Sequence, residues 1–271
     1  MLSELLTFDF FRNALAGIAL ISIASAVIGT YIVTRRLVSI AGGITHACFG
    51  GLGMGYFLGV SPILMAALTA VVSSAAVEKM ASSGRIREDS AIGVIWSIGM
   101  AVGVLFVFLT PGYVPELNSF LFGNLLTIDR TDLIIFAVFT GILLLFFGLM
   151  RHTIVVCAFD RDFARVSGMP VNMINYVMTV FIAIGIVLTI KLVGVMLLMS
   201  MFTLPQMSAE LFSRRFEGIM RGSVAVSLLC SIGGIIAGAY IDVPASALIV
   251  LMLCGFYILA RLVKAVVPYR R

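Results

Sequence analysis

The chain has 271 residues, of which 61% are hydrophobic and only 11% charged, and its mean hydropathy is +1.17. These values exclude a soluble globular domain and leave an integral membrane protein. The net charge of +5 lies mostly in short loops, so it reads as topology and not as a nucleic-acid footprint.

Apolar runs of about 20 residues, each able to cross roughly 30 Å of hydrocarbon, follow one another along the sequence. The predicted spans are 13–33, 37–58, 62–80, 90–109, 132–150, 172–190, 192–212, 219–239 and 244–263. Barrel strands would alternate over about ten residues, so the expected fold is all-α, a polytopic bundle of about nine transmembrane helices forming one domain over 1–271. Retention of Lys and Arg in cytoplasmic loops puts the N-terminus outside and the C-terminus in the cytoplasm. In that orientation only Arg12, Arg130 and Lys191 of the 18 basic residues lie outside.

Residues 1–12 carry Glu4 and Asp9 and read as a short interfacial helix in place of a cleavable signal. The second span holds His46, about nine residues from its start and so roughly 13 Å deep. An ionisable side chain at that depth asks for a partner, a cavity or an ion. Gly42, Gly43, Gly50 and Gly53 share its face, which therefore looks into protein or a pore. A hydrogen-bonded structural histidine, a proton relay and a transient metal ligand all remain open for this residue. Gly51, Gly55 and Gly59 recur every four residues, as do Gly99 with Gly103 and Gly234 with Gly238, a pattern that lets helices approach closely.

The outer connection 110–131 contains Pro111, Pro115 and the stretch Leu121-Phe122-Gly123-Asn124-Leu125-Leu126, which suits a half-length helix. Asp129 and Asp132 are expected to cap the fifth span. On the inner connection 151–170, Phe159, Phe163 and Val166 recur at helical spacing opposite Asp160, Asp162 and Arg165. Gly168 and Pro170 stop that short helix. It suits either a soluble partner or the lipid headgroups. Thr203 and Pro205 predict a kink in the seventh span. Glu210 is expected to pair with Arg214 one turn on, and Asp242, before Val243 and Pro244, to cap the last span or face an entry vestibule. Cys48, Cys157, Cys230 and Cys254 lack CxxC spacing and read as small apolar residues.

These pieces in order, with Arg35-Arg36, Thr45-His46-Ala47, Asp89-Ser90-Ala91-Ile92-Gly93-Val94 and Val193-Gly194-Val195, resemble the permeases of the ABC-3 class of bacterial metal importers. The resemblance implies a multi-pass permease of the bacterial cell (inner) membrane that dimerises with a second copy. It further implies a separate cytosolic ABC ATPase, an extracytoplasmic metal-binding protein, and transported Zn2+, Mn2+ or Fe2+ with no permanently bound cofactor. The chain is not itself an enzyme on this reading, and it lacks a GxxxxGK[ST] phosphate loop. His46 matches the family's pathway histidine, with Asp242 and Glu210 as further candidate metal contacts. Phe159, Asp160, Phe163, Ala164 and Gly168 would form the coupling helix seated in the ATPase. Two positions depart from the pattern: Gly42 and Asn124 stand where the family carries acidic residues. A nitrogen-dominated donor set favours zinc over manganese or ferrous iron. A permease for chelated metal (siderophore, haem or corrinoid) and an ion-coupled secondary carrier are the alternatives.

Overall fold

A computed structural model describes residues 7–82, 87–112, 123, 125 and 128–266. Ten helices follow in chain order among them: α1 (Asp9–Thr34), α2 (Val38–Leu58), α3 (Pro62–Ser82), α4 (Glu88–Leu109), α5 (Arg130–Phe159), α6 (Arg161–Val166), α7 (Val171–Met201), α8 (Leu204–Glu210), α9 (Phe216–Ile241) and α10 (Ala245–Val266). No strand occurs among the described residues. Seven segments are long and apolar enough to cross a membrane, with Val171–Glu210 counted as one. The glycine-rich α2 is not among the seven.

Three sequence expectations change here. The first span begins at Asp9, so part of the expected interfacial helix is the start of α1, while residues 1–6 lie outside the described set. The expected division between the sixth and seventh spans at Lys191 does not exist. The helix runs on to Gly194, whose φ of 80° and ψ of 170° interrupt it in a region open essentially to glycine alone. Pro205 does not kink a continuous helix: α7 ends at Met201, and Pro205 opens α8, where its missing N–H costs no hydrogen bond.

The chain divides into two compact units. One comprises 36–118 and 152–191. Here α2 and α4 run parallel with a register offset of about 50 residues: Ser39 donates to Asp89 at 2.9 Å, and a Cβ on Gly53 would lie 2.5 Å from the Gly103 carbonyl oxygen. Because neither helix carries side chains at Gly50, Gly53, Gly99 and Gly103, their backbones meet directly. α3 returns antiparallel beside α2, with Gly51 against Met65 and Gly55 against Pro62. Gly59 takes no part in this packing. It ends α2 with φ +67°, and nothing lies within 4 Å of its Cβ position.

The other unit comprises 1–35, 119–151 and 192–271. One end is marked by Asn13 donating to the Ile128 carbonyl at 3.1 Å and Arg130 at 3.8 Å from Asp9. Its opposite end is marked by the ion pair of Arg151 with Glu217, and by Lys264 sharing a cavity with Glu210 and Arg214. Between them a fully buried polar seam joins three helices. Ser227 donates to Ser22 at 2.9 Å, and Gln206 Nε2 donates to the Ser25 carbonyl at 2.8 Å. α9 and α10 pack antiparallel where Gly234 and Gly238 admit Ile249 and Ala245.

Candidate functional site

His46 lies eight residues into α2, roughly 12 Å from the first residue of that helix. Its ring stacks face to face on Trp96 of α4, with centroids 4.5 Å apart and an interplanar angle of 2°, and Phe49 flanks it at 6.0 Å. The α2–α4 register produces this stack, because close approach at Gly43, Gly50 and Gly53 brings position 96 level with position 46. The Nδ1 atom is buried and has no hydrogen-bond partner. Such an orphan is uncommon and calls for a bound species or water. Gly42 precedes it by one turn, and no group of three or more His, Cys, Asp or Glu able to hold a metal occurs among the described residues. What the arrangement offers is one oriented imidazole in an aromatic setting.

The remaining candidates are dispersed. Asp242 does not cap α10. It ends α9 with left-handed backbone (φ 57°, ψ 47°), its N–H donating to the Gly238 carbonyl, and it is exposed. Glu210 is the last residue of α8, so Arg214 is not on its helix, and no ion pair joins them among the described residues. Asp129 accepts from the Arg130 N–H at 2.7 Å at the start of α5. Asn124 and most of the 121–126 stretch lie outside the described residues. Gly123, with φ +58°, packs directly on the α7 interruption: a Cβ there would lie 2.2 Å from the carbonyl carbon of Val193.

The short helix expected on the connection 151–170 is α6. Asp160 caps it, accepting from the Phe163 N–H at 2.9 Å, and Gly168 closes it at φ +73° while Met169 N–H reaches back to the Ala164 carbonyl. Ala164 is fully buried, whereas Phe159, Phe163 and Val166 are 56%, 59% and 90% exposed. The apolar stripe therefore faces away from its own unit. Arg161 points inward, 4.0 Å from Glu78 of α3, which is only 7% exposed. Sequence reasoning missed both Trp96 and Glu78. Glu78, two residues before the predicted end of the third span and beside Lys79, reads as an ordinary charge at a span end and gives no signal, but the sole tryptophan of an apolar chain was visible.

Seven segments long and apolar enough to cross a membrane, one of them broken at Gly194, with helices packed backbone to backbone, define a multi-pass helical membrane protein. The chain belongs to the ABC 3 transport family, whose model matches residues 7–264. It is 34% identical over 86% of its length to the "probable metal transport system membrane protein" of Chlamydia pneumoniae, covering 81% of that protein. It is 29% identical to the manganese transport system membrane protein MntC of Halalkalibacterium halodurans, over 95% of this chain and 88% of that one. The solved structure of PsaBC from Streptococcus pneumoniae in complex with Fab matches with a TM-score of 0.83 at 25% identity, covering 96% and 95% of the two chains.

Proposed function

We propose that the chain is the membrane-spanning subunit of an ATP-driven importer of divalent transition-metal ions, forming one permease domain over 1–271. The observation that carries this reading is His46: a mid-helix imidazole with a buried, unpartnered nitrogen, outside any group of three or more potential metal ligands among the described residues. Such a ligand binds weakly enough to release a moving ion, which a conducting pathway requires. The names of relatives, with manganese in one and metal in another, point to the same cargo class. Imidazole chemistry favours zinc, and the manganese name of the Halalkalibacterium relative supports manganese as the second reading. Uptake of one labelled ion competed by the others decides between them.

Partners follow from the same reading. ATP hydrolysis belongs to a cytosolic subunit seated on the exposed Phe159, Phe163 and Val166 of α6, and an extracytoplasmic protein delivers the ion. A second copy of the permease supplies a second His46. The reading includes nine crossings with the C-terminus inside. One of them is 195–210, since Gly123 packs on Val193 near one end and Glu210 shares a cavity with Lys264 at the other.

The test is metal-uptake rescue in a transport-deficient host. His46→Ala, expressed at the parental level, is expected to lose most uptake while His46→Gln, which keeps a polar donor of similar reach, loses less. Parental uptake by His46→Ala overturns the pathway role.

A further inference from the structure

We infer that the unit containing α9 and α10 carries a binding site for the phosphate headgroup of an anionic glycerophospholipid. Residues 210–215 and the end of α10 border a half-open cavity of about 650 Å³ lined by Arg214, Arg215 and Lys264, with Glu210 as the one carboxylate among the described lining residues and Leu211 and Phe212 as apolar wall. Three cations against one carboxylate leave a surplus of positive charge. Neither Glu210 nor its neighbour Arg214 takes part in an ion pair among the described residues. The N-cap of the 26-residue α9, Arg215, makes no side-chain cap hydrogen bond, so the first N–H groups of that helix add their partial positive charge at the same place. Glu217 in the first turn is engaged elsewhere, by Arg151 and Arg221.

Position selects lipid over a soluble phosphate. The cavity sits at the ends of two apolar helices long enough to cross a membrane, the depth at which headgroups lie. The cavity carries apolar surface beside its cations: Leu211 and Phe212 line it, and Phe212 is 54% exposed. Acyl chains against Phe212 and Leu211 place the ester phosphate among Lys264, Arg214 and Arg215. Basic pockets between membrane helices take anionic headgroups in this way.

The experiment uses the full-length chain, purified in detergent, delipidated and titrated with dioleoyl phosphatidylglycerol or dioleoyl phosphatidylcholine under native mass spectrometry, with glycerol phosphate as competitor. A cation near an anionic headgroup contributes roughly fivefold in affinity, so phosphatidylglycerol is expected to bind the parent roughly tenfold or more tightly than phosphatidylcholine. The combined Arg214→Gln, Arg215→Gln, Lys264→Gln variant is expected to lose that preference. The Arg12→Gln, Arg87→Gln, Arg130→Gln variant, of equal charge, is expected to keep it. Lys264→Glu alone, at an exposed helix end, is expected to weaken the preference and keeps the test open should the triple variant misfold. The site is overturned if the preference survives in Lys264→Glu and the pocket triple variant, if the control triple variant loses it equally, or if glycerol phosphate competes at the affinity of the lipid. Metal uptake enters none of these readouts, so the site stands or falls apart from the transport reading.

Discussion

Gly103→Ala tests the α2–α4 contact that sets the His46–Trp96 stack. A Cβ on Gly103 would lie 2.5 Å from the Phe49 carbonyl oxygen, 2.7 Å from its carbonyl carbon and 3.0 Å from Gly50 N. All three are backbone atoms, so no side chain can swing aside and the helices must part. Overpacking of this kind costs about 1 to 3 kcal/mol. Alanine also gains about 1 kcal/mol of helix propensity over glycine, which would mask part of the loss if the variant were compared with the parent alone.

Gly141→Ala on α5 removes that ambiguity, because nothing lies within 4 Å of its Cβ position and the propensity gain is shared. The difference between the two variants therefore isolates the clash. Reversible unfolding of the purified protein in mixed micelles of rising dodecyl sulfate content is the assay. Gly103→Ala is expected to be less stable than Gly141→Ala by about 1 to 3 kcal/mol. A difference below about 0.5 kcal/mol would refute direct backbone packing of α2 on α4.

Three further substitutions address other contacts. Gly123→Ala places a Cβ 2.2 Å from the Val193 carbonyl carbon at φ +58°, adding about 1 kcal/mol or more of backbone strain to the clash, and the variant should unfold at lower dodecyl sulfate than Gly141→Ala. Asp160→Ala removes the α6 cap and is expected to cost about 1 kcal/mol, raising proteolytic cleavage at 160–168, whereas Asp160→Asn keeps a cap oxygen and resists. Glu78→Gln leaves Arg161 facing a buried site without its carboxylate. The Glu78→Gln, Arg161→Gln double variant should be destabilised by less than the sum of the singles, a coupling read by a double-mutant cycle in the same unfolding assay.

Much of this was legible because it depends on single helices. The apolar runs mark the long helices, His46 falls in the middle of the helix its run forms, and Asp160 followed by the 159, 163, 166 stripe marks a capped amphipathic turn. What depends on two helices was not legible. Gly99 and Gly103 announced a close contact without naming its partner, and only the 50-residue register identifies α2 and so brings Trp96 onto His46. The α7 interruption was misplaced for a related reason. Lys191 looked like a loop by its charge, but a helix end exposed to water tolerates lysine, while the actual break needs the φ of 80° that Gly194 alone supplies there. Asp242 read as a cap of the last span or a vestibule residue by its carboxylate, while its left-handed backbone at the end of α9 carried no signal in the sequence.

The position of Gly42 bears on how His46 would handle a cation. A carboxylate one turn away on the same helix face would stand about 6 Å from a divalent ion held by the imidazole. At an effective dielectric of about 20 that attraction is about 5 kcal/mol, which is roughly three to four powers of ten in residence time. Glycine forgoes that well and at the same time keeps the α2 surface thin one residue before Gly43, where a Cβ would come within 2.3 Å of the Ile92 side chain. On the proposed reading, shallow binding and close helix packing would come from the same short stretch. On the transport reading the imidazole then acts as a stepping point, held flat by Trp96, and the tight selection of cargo falls to the protein that delivers it.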